Sequence, residues 1–215
     1  MGFSKTCSCG ECSMNSPVKV DVFVEDRAHE QFLKPLLARI AHEEDVAVAV
    51  RVRSARGGHG RAVEEFKLYQ TLVERGAADA THPDLLIVGI DGNCTTFAKK
   101  RAEIRSAATA TFSARLVVAC PDPHVERWYL ADPDSFQSVV GRRPTVGKKK
   151  CARDYYKDAL AKAVRDAGHP VTLGGVEFAA ELVDGMDLYR AGKNDHSLGA
   201  FVDDLRGKLR QASEE

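Results

Sequence analysis

The sequence predicts a doubly wound α/β protein: a mostly parallel four-stranded sheet followed by a helical C-terminal extension. Short β-branched, apolar runs alternate with stretches of helical periodicity over the first 120 positions. Each intervening stretch is long enough for the crossover that parallel neighbours require. After Val125 the strand-like runs stop and only helical spacing remains.

Taken in order, residues 1–16 read as a flexible Gly/Ser-rich tail containing Cys7, Cys9 and Cys12, three soft ligands without the fourth that zinc prefers. Val18 to Val24 is the first strand, with Asp21 inside it, and Glu25-Asp26 closes it. From Ala28 to His42, Phe32, Leu33, Leu36, Leu37 and Ile40 form one apolar stripe of a helix. Val46 to Val52 is the second strand, and Ser54 to Gly60 is a loop by its glycines. Arg61 to Arg75 is helical, Leu85 to Ile90 is a short buried strand, Phe97 to Ala108 is a helix, and Leu116 to Cys120 is the fourth strand. Residues 17–132 thus hold the α/β domain. Residues 133–215 hold the extension, read with the segment before it as helices over Glu126 to Leu130, Ser135 to Val140, Arg153 to Ala167, Val176 to Val183 and Leu198 to Gln211.

Composition narrows the function classes. Lys plus Arg and Asp plus Glu both number 31, so no global basic field marks a nucleic-acid binder and any such surface is local. The apolar runs fall far short of the ~20 residues of a membrane helix. No charged segment leads into an apolar leader, and six cysteines without one fit reduced thiols in a cytoplasm.

In an open parallel sheet, ligands bind outside the carboxyl ends of the strands. There this chain has Glu25 and Asp26, then Arg56-Gly57-Gly58-His59, then Asp91 and Asn93, then Asp122, His124 and Glu126. Carboxylate and amide oxygens on short strand ends suit Mg²⁺ or Mn²⁺, with water and a substrate phosphate completing the shell. The glycine loop offers backbone N–H groups, and Arg56 a charge, to a phosphate. Acids at strand ends also cap helices, the reading taken for Asp26, and Asp-Gly-Asn also makes turns. Lys99 on the third helix and Arg142, Arg143, Lys148, Lys149 and Lys150 in a Gly/Pro loop are candidates for contact with a phosphate backbone. Trp128, the single Trp, is expected in the core.

The order strand–Glu25, helix, strand, helix, strand–Asp91-x-Asn93 resembles the TOPRIM domain of topoisomerases, primases and OLD-type nucleases, a Rossmann-like fold. The likeness is closest to small stand-alone bacterial TOPRIM-like proteins. It rests on Val22-Phe-Val-Glu-Asp26, Phe32-Leu-Lys-Pro-Leu-Leu37, Gly57-Gly58, and the pattern Pro121, Pro123, Glu126, Trp128, Asp132. The resemblance implies Mg²⁺-dependent cleavage of a nucleic-acid phosphodiester, a role in anti-phage defence, and an ATPase partner. Glu25 is then a metal ligand or general acid/base, Asp91 a metal ligand, Asn93 a neutral ligand in place of the family's second Asp, and Glu126 a further acid. A homodimer is compatible with such a domain.

Two alternatives stay open. One is a catalytically weak nucleic-acid-binding or regulatory subunit, because Asn93 removes one negative charge. The other is a phosphatase of the haloacid dehalogenase type built on Asp91-Gly-Asn-Cys-Thr95.

Overall fold

The structure, a computed structural model, describes residues 16–55, 61–77, 82–147, 149, 151–152 and 154–214. Strands β1 (Val18–Val24), β2 (Val48–Ser54), β3 (Leu85–Gly89) and β4 (Leu116–Ala119) form one parallel sheet in the order β2-β1-β3-β4. Helices α1 (Arg27–Glu43), α2 (Ala62–Glu74) and α3 (Phe97–Ala107), with a short α4 (Ala110–Ser113), make the crossovers. The expected doubly wound fold is present.

Side-chain alternation explains why both faces are covered. Val20, Val22, Val24, Leu85, Ile87, Val117 and Ala119 point into one apolar cluster with α1. Phe23, Leu86, Val88, Leu116 and Val118 point into the other with Phe66 of α2 and Ile104 of α3. Asp21 is the polar exception in β1. Arg51 of β2 holds it through Nε at 2.8 Å and Nη2 at 2.6 Å, and the Tyr69 hydroxyl donates to it as well. A buried carboxylate survives here because its oxygens are satisfied.

The second strand begins two residues later than its β-branched run predicts. Asp45 takes a left-handed φ of 55°, and the Val46 N–H donates to Ala41 O at 2.9 Å. Val46 therefore belongs to the turn closing α1, and pairing with β1 carries the strand on to Ser54.

Beyond β4 lie α5 (Glu126–Tyr129), α6 (Pro133–Val140), α7 (Tyr155–Asp166), α8 (Ala179–Gly185) after a 3₁₀ turn (Val176–Phe178), α9 (Leu188–Asn194) and α10 (His196–Glu214). Helices α4 and α9 were not expected from the sequence; both are short, and Asp187 caps α9 by accepting the Arg190 N–H at 2.9 Å. The extension is part of the core: Phe201, Val202, Leu205 and Leu209 of α10 join the cluster of β1 and α1. Trp128 is fully buried between Phe32 and Phe201, as expected. Asp132 is buried too, and its carboxylate accepts from Arg190 Nε at 2.7 Å and Nη2 at 2.9 Å. Among the described residues no helix is long and apolar enough to cross a membrane.

Candidate functional site

The chain leaves β1 toward β2 on one side and returns to β3 on the other, so the carboxyl ends of β1 and β3 flank the switch point of the sheet. Val24 and Gly89 are register partners there. One residue on, the Glu25 N–H donates to Gly89 O at 2.9 Å. The Asp91 N–H in turn donates to Glu25 Oε2 at 3.0 Å. Two acids 66 positions apart in sequence are thus joined directly.

The Asp91 carboxylate is buried and held from three sides. The Val125 N–H donates to Oδ1 at 3.0 Å, and His124 Nδ1 lies 3.0 Å from Oδ2. His29 Nε2 lies 3.1 Å from Oδ1, close enough for an ion pair but too bent for a regular hydrogen bond. His29 is fully buried, and its other nitrogen sits 2.8 Å from Asp26 Oδ1. The same Asp26 oxygen accepts the His29 backbone N–H at 3.0 Å, so the expected N-cap of α1 also orients the ring.

Charge follows this geometry. Burial works against the His29 cation, yet Asp91 and Asp26 outweigh it and raise its pKa well above the ordinary histidine value. Partial burial opposes ionisation of Asp26, but His29 holds its carboxyl down at about 2. Asp91 is likewise held low against its own burial by His29 and His124. The Asp91 contact raises the His124 pKa. Burial first, then Asp91 and Asp26, push Glu126 above the usual carboxyl range.

A cleft of about 450 Å³ opens beside this cluster between α2 and α3, lined by Glu25, Asn93, Lys67, Lys100 and Glu103 among others. Asn93 takes a left-handed φ of 53°, a region where Asn is tolerated, and its Nδ2 donates to Asp91 O at 3.3 Å. Gly92 before it is required, since a Cβ there would stand 2.8 Å from Pro121 O. The turn chemistry expected of Asp-Gly-Asn is therefore present.

The other sequence candidates are placed unevenly. Lys99 is exposed, and its neighbour Lys100 is the one that lines the cleft. Arg142 and Arg143 do not line it. They face acids of the extension instead, Arg142 at 3.9 Å from Asp166 and Arg143 paired with Asp134. Lys149 lies over the Tyr155 ring. Arg56, Gly57, Gly58, His59, Lys148 and Lys150 lie outside the described residues, as do Cys7, Cys9 and Cys12.

His29 is the residue that sequence reasoning missed. The signal was its spacing: it precedes Phe32, Leu33 and Leu36 by three, four and seven positions, on the buried stripe of α1. The segment Lys193 to His196 joins α9 to α10. Asn194 Nδ2 donates to Ala131 O at 2.9 Å, and Asp195 accepts the Ser197 and Leu198 N–H groups at 2.9 and 3.1 Å, capping α10.

Among the described residues no group of three or more His, Cys, Asp or Glu side chains is arranged to hold a metal ion. Mg²⁺ asks for less, namely one or two carboxylates with water in the remaining positions. Glu25 and Asn93, which carry hard oxygens, line the cleft, whereas Asp91 is not among its lining residues. The Asp91 carboxylate already accepts from the Val125 N–H, contacts His124 and is ion-paired with His29. This donor set fits a hydrated, sparsely held divalent cation rather than a closed cage. It suits a nucleophilic aspartate poorly, because the Asp91 side chain is only 10% exposed. Compared with protein-family models, with curated proteins and with solved structures, the chain gives no match.

Proposed function

We propose that this chain is a cytoplasmic, Mg²⁺- or Mn²⁺-dependent phosphodiesterase of the TOPRIM type that acts on nucleic acid. The observation that supports it is the direct Asp91 N–H to Glu25 Oε2 hydrogen bond at the switch point of the sheet, beside an open cleft. A bound divalent cation supplies polarisation of a phosphoryl oxygen and activation of water. Glu25 is the main protein ligand, with Asn93 in support. Lys67 and Lys100, from opposite walls of the cleft, offset phosphate charge. Glu126, which keeps its proton to higher pH than an ordinary carboxyl, is the candidate donor to the leaving oxygen.

The test is cleavage of labelled single- and double-stranded DNA and RNA with and without Mg²⁺ or Mn²⁺. Glu25→Gln and Asp91→Asn should each abolish metal-stimulated cleavage while the circular dichroism spectrum is unchanged. A variant cutting as fast as the parent sinks the assignment.

One observation favours a second reading, a binding subunit without turnover: Asn93 stands where a further carboxylate would strengthen the site, and its amide is spent on the Asp91 carbonyl. Cleavage that appears only in Asn93→Asp would select this reading.

A further inference from the structure

We infer that the outer edge of β2 is a dimer contact: two copies of this chain pair their β2 strands antiparallel about a two-fold axis at Val50, joining two four-stranded sheets into one. The inference does not depend on the chemistry at Glu25.

The two edges of the sheet differ. β4 is buried along its length, with α10 packed beside it. β2 has no buried residue, and among the described residues no strand pairs with its outer side. Neither proline nor a bulge blunts that side, since all seven residues of β2 stay in register with β1. Arg51, at mid-strand, does not guard it either, because its guanidinium is turned onto Asp21. Exposed apolar surface gathers at the same place. Val50, Leu68 and Leu72, at 40%, 58% and 46% exposure, are three of the five exposed large hydrophobic side chains among the described residues. Val50 is the register partner of Val20 and shares the sheet face that α1 covers. Leu68 and Leu72 lie on α2, over the other face. One flank of α2 meets α3 through Gln70, which donates to Ala107 O at 3.0 Å. At about 100° of turn per residue, Leu72 and Leu68 lie beyond Tyr69 on the opposite flank, toward β2.

The backbone fixes what this edge offers. The Val18 N–H donates to Ala47 O and the Ala55 N–H to Val24 O, both at 2.8 Å, so residues 47, 49, 51, 53 and 55 turn their backbone groups to β1. Val48, Val50 and Val52 turn theirs outward. Side chains then choose the register. With the axis at Arg51, the Arg51 side chains of the two copies stand opposite each other; with the axis at Val52, Arg51 stands opposite Arg53. Like charges in direct opposition weaken a pair of strands. With the axis at Val50, Val50 meets Val50 and Val48 meets Val52, while Arg51 faces Ala49 and Arg53 faces Ala47. The strand is thus complementary to itself in one register, as a two-fold contact requires. An axis normal to the sheet also sets the two α2 helices on the same face, with Leu68 and Leu72 between them.

The experiment is sedimentation equilibrium of the full chain over a concentration series, with thermal unfolding of each variant in parallel. The parent should approach twice the 23.5 kDa of one chain. Val50→Lys and Val50→Glu, each alone, should shift to the mass of one chain while staying folded, because the axis sets each new charge against its own copy. Mixed in equal amounts the two variants should regain the mass of the pair, since lysine then faces glutamate. Should either variant not fold, Leu68→Ser combined with Leu72→Ser carries the test and should likewise move the mass toward one chain. A parent that keeps the mass of one chain at every concentration overturns the proposal. A folded Val50→Lys, or a folded double serine variant used in its place, that pairs as well as the parent overturns it too, because the contact then lies elsewhere. Monomeric Lys and Glu variants that fail to recombine also overturn it, because Val50 then does not sit on the axis.

Discussion

The Trp128 indole N–H donates to the Ser197 hydroxyl at 2.9 Å, joining the helix after β4 to the first turn of α10. The same hydroxyl accepts the Asp122 N–H at 3.1 Å and donates to Asp195. Arg127 reinforces the joint, with Nη1 2.8 Å from Asp122 O and Nε 2.8 Å from Asp195 Oδ2. The loop from Asp122 to Val125 brings His124 and the Val125 N–H to Asp91, so the C-terminal extension helps to hold the site.

Ser197→Ala should therefore destabilise the fold by about 1–3 kcal/mol, because it strands a buried indole donor and a loop N–H. Urea denaturation measures this. Metal-dependent activity should fall with it under conditions where the variant remains folded; a variant as stable as the parent refutes the joint.

The Asp132–Arg190 pair should make stability depend on acid. Burial would raise the Asp132 pKa, but Arg190, Ser135 and the Asp187 N–H outweigh it and hold the carboxyl below its usual range. A carboxyl depressed in the folded state contributes stability that is complete above its unfolded pKa of about 4 and is lost as pH falls through the folded value. Asp132→Asn should cost about 2–4 kcal/mol at neutral pH, the lower part of that range applying because Arg190 stays partly hydrated. The gap between parent and variant should begin to narrow below about pH 4, the unfolded-state value, and go on narrowing as pH falls toward the depressed folded value. A gap that stays constant down to acid pH contradicts the pairing.

Asn93→Asp should bind Mn²⁺ several-fold more tightly than the parent, as a second anionic oxygen on the cleft adds ligand charge. The left-handed backbone at this position accepts Asp as readily as Asn. Calorimetric titration reads the change, and an unaltered or weaker affinity places the ion elsewhere.

Lys100 and Lys99 should separate in nucleic-acid binding, since only Lys100 lines the cleft. In a Glu25→Gln background, Lys100→Ala should reduce the slope of log affinity against log salt by about one unit, the share of one released counterion. Lys99→Ala should leave the slope nearly unchanged. Equal effects would mean that the strand does not enter between α2 and α3.

The fold was legible because its signals are local. Alternating faces in β1 and β3 and the stripe on α1 each fall within one element. The placement of Glu25 and Asp91 followed from one rule about strand ends. What sequence did not show was contact between elements. His29 meets Asp91 across 62 positions, and no pattern within α1 announces a partner so distant. The same holds for Asp132 with Arg190, 58 residues apart, where the acid belongs to a recognisable motif and the base to a helix that propensity did not mark. Sequence did not separate Lys99 from Lys100 for a simpler reason: one residue of helix turns a side chain by about 100°, and periodicity in a helix with a single buried residue, Ile104, fixes its rotation poorly.

The oxygen of Asp26 that closes the hydrogen-bond ladder of α1 is also the one that grips the buried ring, so the beginning of that helix and the carboxylate after β3 are one mechanical unit. Helix termini ordinarily fray on fast timescales. Here fraying would let go of the imidazole and, behind it, of the acid at the end of β3, so the amide protons of Ala28 and His29 should report on the Asp91 carboxylate.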